Sequence, residues 1–158
     1  MKNMLFAIAF LFAQVLFAAC PNLEGTYKWQ DPEDSTYQDF IKISQSAEGT
    51  STRYRFEFSA SGSSNTDVVE YVTDQGNVEQ VLDENGIREV LTQNVSCDSN
   101  NLVIESSVQT FKDGAIVDDY KSVSRLSLND QKHLVWKWTS IDNSDGSIEN
   151  GQDLYTRE

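Results

Sequence analysis

The chain has 158 residues and is acidic, with 12 Lys and Arg against 25 Asp and Glu. Removal of a leader over residues 1–19 would leave 139 residues, enough for one domain and too few for two ordinary ones. That part carries a charge of −14 with its one His taken as neutral, so it is not drawn to nucleic-acid phosphates or anionic lipid. One His and two Cys cannot build a Cys/His zinc site, and we expect neither a metal nor a cofactor.

The first 19 residues have the three parts of a secretory signal peptide. Residues 1–3 give a short positive start, residues 4–17 are almost wholly apolar, and residues 18–19 are the small side chains of a cleavage site. The apolar run is shorter than the ~20 residues that a membrane-spanning helix needs. We therefore expect a cleaved signal helix over 1–19. The mature chain, 20–158, is then a single domain that does not span a membrane and is exported to the periplasm or secreted.

Two interpretations are open for the cysteines. An oxidising compartment favours a disulfide between Cys20 and Cys97, and closing that loop contributes about 4–5 kcal/mol in the chain-entropy model. Alternatively, residues 16–20 (Leu-Phe-Ala-Ala-Cys) resemble a bacterial lipoprotein signal, in which Cys20 would be acylated and would anchor the chain. Phe17 and Pro21 depart from that pattern, so the disulfide is favoured.

The composition of residues 20–158 favours strands. Val, Ile and Thr total 29 there, whereas Ala, Leu and Met total 11, and β-branched side chains suit a pleated surface better than a helix. Turn signals such as Glu84-Asn85-Gly86 and Lys112-Asp113-Gly114 separate the apolar runs. The pattern predicts ten strands, over 23–30, 38–46, 52–60, 67–73, 77–83, 86–92, 101–111, 115–127, 132–141 and 152–157.

Alternating side chains indicate how these strands are buried. Tyr54, Phe56 and Phe58 fall on one face of the third strand, and Arg53 and Arg55 fall on the other, which is typical of a half-buried strand. Sequential hairpins predict an all-β, antiparallel up-and-down meander. Closing it into a barrel of about 8–10 strands would hide its edges, and a β-sandwich is the alternative. In an up-and-down meander all odd-numbered strands start at the same end, so Cys20 before the first strand and Cys97 before the seventh would lie near one end of the barrel.

The first and last strands carry a family resemblance. Leu23-Glu24-Gly25-Thr26-Tyr27-Lys28-Trp29 resembles the opening strand of lipocalin-like and fatty-acid-binding-like barrels, which have a Gly, one residue and then an aromatic. Leu154-Tyr155-Thr156-Arg157 resembles their last strand, in which an Arg often packs over that aromatic. Tyr27 stands where lipocalins place Trp, and residues 31–37 are too few for a helical lid. The resemblance implies a barrel with an apolar cavity and no particular ligand.

The candidate binding residues are the side chains that the alternation aims inward. Aromatic walls with a few polar groups are typical of small-molecule pockets, and a filled core is the competing interpretation. An inward carboxylate on the eighth strand, Asp118, would orient a ligand, but a strand end or bulge that places this side chain in water is the favoured interpretation. The candidates are Tyr27, Trp29, Tyr54, Phe56, Phe58, Tyr71, Asp118, Trp136 and Trp138.

No arrangement of residues indicates catalysis. The single His, His133, falls on the face opposite the aromatic side chains, where it cannot serve a Ser-His-Asp triad beside them. We therefore expect a non-catalytic, monomeric, exported barrel that binds a small apolar or aromatic ligand. The alternative is a structural or interaction module of the cell envelope, with a solid core and its function on loops 61–66 and 142–151.

Overall fold

The structure is a computed structural model, and it describes residues 20–30 and 36–158. The predicted signal helix over 1–19 lies outside the described residues. The strands are β1 (Gly25–Gln30), β2 (Gln38–Glu48), β3 (Ser51–Ala60), β4 (Asp67–Val72), β5 (Val78–Glu84), β6 (Ile87–Asp98), β7 (Asn101–Lys112), β8 (Ala115–Leu128), β9 (Leu134–Asp142) and β10 (Ile148–Arg157). Over the described ranges, no helix has the length and apolar character that crossing a membrane requires.

All ten strands belong to one sheet, in the order β4-β3-β2-β1-β10-β9-β8-β7-β6-β5. Each strand pairs antiparallel with its neighbour in sequence, β10 pairs with β1, and only the β4–β5 pair is missing among the described strands. The predicted all-β antiparallel meander is confirmed. The predicted closure into a barrel is wrong, and because there is a single sheet the β-sandwich alternative is not formed either.

The turn that follows β4 explains why β4 and β5 do not pair with each other, which leaves an open seam between these two strands. After β4 the chain turns at Asp74, whose φ is +60°, and the Asp74 amide donates to the Val95 carbonyl oxygen on β6 at 3.0 Å. Thr73 is fully buried there, and its hydroxyl accepts a hydrogen bond from the Thr52 amide at 2.9 Å. This turn attaches the end of β4 to β6. All seven residues of β5 are solvent-exposed, so little apolar burial would draw that strand across to β4.

Contacts across the sheet require it to be strongly curved. β3 and β9 are four strand spacings apart in the sheet order, which is about 19 Å in a flat sheet. The rings of Phe58 on β3 and Trp136 on β9 nevertheless have centroids 6.3 Å apart. The hydrogen bond from Asp74 to Val95 likewise joins chain segments at opposite ends of the strand order. The sheet therefore curls into an open cylinder with a concave inner face and a convex outer face.

The core fills the concave face at the end where β1, β3, β7 and β9 begin, which we call the lower end. Tyr27 and Tyr54 are fully buried there, and their hydroxyls donate to the carbonyl oxygens of Leu23 at 2.8 Å and Pro21 at 2.7 Å. These bonds remove the penalty of burying a phenol. The core residues are Leu23, Tyr27, Ile41, Ile43, Tyr54, Phe56, Val95, Leu102, Ile104, Leu126 and Leu134.

Two strands are longer than the sequence indicated. β6 continues to Asp98 rather than ending near residue 92, because Val95 and Cys97 belong to the core packing. β10 begins at Ile148 and pairs with Ile141 of β9, so half of the expected loop over 142–151 is strand, and residues 143–147 remain as the loop.

A disulfide joins Cys20, which precedes β1, to Cys97 on β6, with their Cα atoms 5.2 Å apart. The predicted bridge is confirmed, and both residues are at the lower end as the meander required. A sulfur in a disulfide cannot also carry a lipid, which disfavours acylation of Cys20. Disulfides persist mainly in oxidising compartments such as the periplasm or the cell exterior.

Replacing both cysteines (Cys20→Ser with Cys97→Ser) should lower the free energy of unfolding by about 4–5 kcal/mol, because the bridge closes a long loop in the unfolded chain. Urea unfolding of the oxidised wild type and of the double variant measures the difference. Wild type unfolded in reductant is the matched control and should agree with the variant. Equal stability of the oxidised and reduced wild type would contradict the bridge.

Candidate functional site

The strand register places all nine predicted site residues on the concave face. Seven of them are core residues or are paired, directly or through a chain of partners, with a core residue on that face: Tyr54 is opposite Tyr71, and Leu126 is opposite Trp136. Trp29 and Asp118 lie on the same face because they alternate along β1 and β8 with Tyr27 and Leu126. Paired residues on neighbouring strands share a face. The sequence alternation therefore oriented these side chains correctly, but they lie at different heights along the curled sheet and in different surroundings.

Three of the nine, Tyr27, Tyr54 and Phe56, have no exposed surface. They form the packed floor of the lower end. Tyr71 lies beside them with its ring edge-on to Phe56 at 5.4 Å between centroids, an arrangement worth about 1 kcal/mol beyond the buried area. Burial raises the pKa of Tyr54 and of Tyr71 above the ordinary tyrosine value. These phenols act as neutral core groups.

Above the core the concave face opens into a cleft with an aromatic wall. We call it the trough and define it by Phe58, Trp136, Trp138 and Tyr155. Tyr155 separates two open cavities. One, of about 320 Å³, is lined by both tryptophans, and the other, of about 410 Å³, lies against Phe58. These volumes fall in the lower part of the range of small-molecule sites.

A glycine sets the position of one trough residue. Gly151 on β10 is directly opposite Trp138 on β9, and a Cβ atom at residue 151 would overlap the indole ring. The indole therefore occupies the space that a side chain at residue 151 would take, which only a glycine allows. This fixes one wall of the trough.

Polar groups surround the aromatic wall. The indole Nε1 of Trp136 donates to the Ser124 hydroxyl at 3.1 Å, which orients that ring. Burial raises the pKa of Tyr155 to about 12, and the nearby charges of Asp153 and Asp39 add to the shift. The trough thus combines electron-rich ring faces with carboxylates. Such a surface suits a flat apolar molecule that also carries a cation or a hydrogen-bond donor.

Two predicted residues lie apart from the trough. Trp29 is at the upper end of β1, with its ring edge-on to Tyr37 at 6.4 Å. Asp118 is exposed and lies beside an irregularity in the β7–β8 register, in a separate cleft shared with Tyr120 and Glu149. The exposed setting of Asp118 agrees with a solvated carboxylate at a bulge.

Sequence reasoning did not select Tyr155, Asp153, Ser122 and Ser124, which line the trough. A signal was present for two of them: Gly151, Asp153 and Tyr155 alternate along β10. This alternation did not identify the trough residues, because the predicted strand began at residue 152 and left out Gly151. Nothing in the sequence gave the register of this strand against β9. Serines on β8 give no sequence signal at all, since their role depends on their neighbours.

Three other features lack the arrangement of a site. His133 precedes β9, and its Nδ1 is buried without a hydrogen-bond partner, and among the described residues its side chain forms no ion pair with a carboxylate. A polar cleft on the convex face between β6 and β8 has no aromatic wall. Across residues 20–30 and 36–158, no three His, Cys, Asp or Glu side chains converge as metal ligands would.

At the strand ends that carry the family resemblance, Tyr27 is paired with Arg157, and the Arg157 guanidinium donates to the Glu24 carbonyl oxygen at 3.1 Å. Gly25 is needed there because a Cβ atom would lie 3.1 Å from the Tyr27 ring and 3.2 Å from Arg157 Nε. Comparison with known proteins finds no matching family model, no matching curated protein and no matching solved structure. The lipocalin-like assignment therefore stays a prediction.

Gly151→Ala should displace the Trp138 indole, destabilise the protein by about 1 kcal/mol and change its tryptophan emission, because the new methyl group overlaps the ring. Urea unfolding followed by fluorescence measures both effects. In a Trp138→Ala background the same substitution should have almost no effect on stability, because nothing remains for the methyl group to displace. Equal losses in the two backgrounds would show that the indole does not lie on residue 151.

Asp153→Asn should lower the pKa of Tyr155 from about 12, because it removes a charge that opposes phenolate formation. The folded pKa is raised, so the stability that Tyr155 contributes is present below its unfolded pKa and is lost as pH rises towards the folded value. Carbon-13 NMR of the tyrosine rings measures the titration, with Tyr155→Phe assigning the signal. Asp118→Asn, outside the trough, should leave the curve unchanged, and coincident curves for wild type and Asp153→Asn would contradict this arrangement.

Proposed function

We propose that this protein is an exported, non-catalytic binding protein that holds a small molecule with a flat apolar part in the trough. The observation that carries the proposal is that Phe58, Trp136, Trp138 and Tyr155 line two open cavities that share Tyr155, with the Phe58 and Trp136 rings 6.3 Å apart. Large aromatic surfaces that remain partly exposed on a concave wall are typical of binding sites.

The packing beneath the trough supports this function. Phe58 stacks on the fully buried Phe56 at 6.0 Å between centroids, Trp136 is held by Ser124, and Trp138 is held over Gly151. Side chains fixed in this way lose little conformational freedom when a ligand arrives, so more of the contact energy remains for affinity. The carboxylates of Asp39 and Asp153 favour a ligand with a cation or a donor at one end.

A second candidate function is an interaction module of the cell envelope. Aliphatic side chains are exposed at the upper hairpins, among them Leu82 at 67%, Ile148 at 62% and Val117 at 58%. Exposed aliphatic groups on adjacent hairpins are common at protein contact surfaces. Loop 61–66 and the shortened loop 143–147 are at the same upper end.

Binding should be seen with N-phenyl-1-naphthylamine, a neutral aromatic fluorophore, titrated into the oxidised protein. Trp138→Leu should weaken binding by about fivefold, because it removes a stacking surface worth roughly 1 kcal/mol. Phe111→Leu is the matched control, since Phe111 is a partly buried aromatic on the convex side of β7 and its loss should leave affinity unchanged.

A cationic analogue of the same fluorophore should bind more tightly than the neutral form, and Asp153→Asn should remove that advantage while leaving neutral binding intact. The proposal fails if the wild type binds neither fluorophore, or if Trp138→Leu and Phe111→Leu give the same titration. Partner capture that depends on loops 61–66 and 143–147, with no fluorophore binding, would favour the second candidate.

A further inference from the structure

The strand β5 is the least protected part of the described sheet. It stands at one end of the strand order and pairs only with β6. All seven of its residues are exposed, including Val78 at 43%, Val81 at 46% and Leu82 at 67%. On such an edge, alternate residues direct their amide and carbonyl groups away from the sheet, where they are free to pair with another strand.

Three common protections of an edge strand, a bulge, a proline and a lysine, are missing from β5. Its register with β6 is continuous, without a bulge, and it contains neither proline nor lysine. β4, at the other end of the order, differs because Glu70 is held by ion pairs with Arg53 and Arg55 at 2.6 and 3.2 Å. Proteins normally blunt a long exposed edge, so an open one indicates a docking strand.

The charge on β5 has one sign. Glu79, Asp83 and Glu84 are its only charged residues. The ion pairs of the described residues all involve Lys42, Arg53 or Arg55 on β2 and β3, so none of these three carboxylates is held in an ion pair there. Asp83 has Arg88 of β6 as its cross-strand neighbour. A strand that pairs with β5 would bring its own side chains opposite them, and cross-strand pairs of opposite charge are stabilising.

The negative charge of β5 also determines which kind of strand can pair with its open edge. Pairing of β5 with β5 of a second copy would oppose carboxylates to carboxylates, which is destabilising. A basic partner would relieve that repulsion. We infer that β5 receives an extended, basic peptide segment of a partner protein as an additional strand on its open edge.

The two faces of β5 specify the pattern of that segment. Glu79, Val81 and Asp83 lie on the convex face, while Val78 and Leu82 lie on the concave face, by their register with β6. A peptide that alternates lysine and valine would place lysine beside Glu79 and Asp83 and valine beside Val78 and Leu82. Backbone hydrogen bonds would supply part of the affinity, and the alternating side chains would supply the selectivity.

The test uses the oxidised full domain and a labelled peptide as long as β5, seven residues, that alternates lysine and valine. Fluorescence anisotropy should show binding, and hydrogen exchange should show new protection of the β5 amides. The same peptide with N-methyl groups on alternate residues keeps its charge but cannot form the backbone bonds, so it should bind at least about tenfold more weakly. A glutamate-valine peptide should not bind.

Variants of the protein locate the site. Glu79→Lys with Asp83→Lys should weaken the lysine-valine peptide by about tenfold or more, because two attractive pairs become repulsive. Asp130→Lys with Glu158→Lys makes the same charge change at two exposed positions away from β5 and should have a much smaller effect. Equal binding of the N-methylated peptide, equal effects of the two double variants, or unchanged exchange of the β5 amides would each overturn the inference. Dimerisation through β5 in place of peptide binding would also overturn it.

Discussion

The curl of the sheet is fixed at the lower end, and the rest of the molecule depends on that closure. Side chains from β1 to β3 meet side chains from β6 to β9 in one core, the disulfide joins Cys20 to β6, and Asp74 attaches the end of β4 to Val95. A flat antiparallel sheet of ten strands would leave one face of apolar side chains in water. Folding the sheet over its own concave face buries them without a second layer.

The same closure explains why the upper part is open. The strands are held together at the lower end, but β4 and β5 do not pair with each other. The concave face is therefore accessible above the core, where Trp136, Trp138 and Tyr155 remain partly exposed. The open seam thus has two consequences of different kinds: a trough that a small molecule can enter, and a strand edge at β5 that is available for pairing.

Much of the secondary structure was predictable because local physics determines it. Period-two alternation and turn residues such as Asn85-Gly86 located all ten strands. Because all odd-numbered strands of a meander start at the same end, Cys20 and Cys97 were expected at one end. The missing β4–β5 pair was not predictable, because it depends on the hydrogen bond from Asp74 to Val95, between residues remote in the strand order. Whether an aromatic side chain is in the core, as Phe56 is, or in the trough, as Trp138 is, depends on its position between the lower and upper ends of the curved sheet. Alternation predicts the face on which a side chain lies but not that position. Tyr155 and Ser124 join the trough only through register with β9.

The most direct test of the curled sheet is the proximity of two rings that a flat sheet would keep far apart. Phe58 on β3 and Trp136 on β9 have ring centroids 6.3 Å apart, whereas a flat sheet would separate their strands by about 19 Å. Solution NMR with selectively labelled phenylalanine and tryptophan should show nuclear Overhauser contacts between the ring protons of these two residues. Loss of those contacts in Phe58→Leu would assign them. If the labelled wild type shows no contact between the two rings while the neighbouring contact between Phe56 and Tyr71 is observed, the sheet is not curled as described.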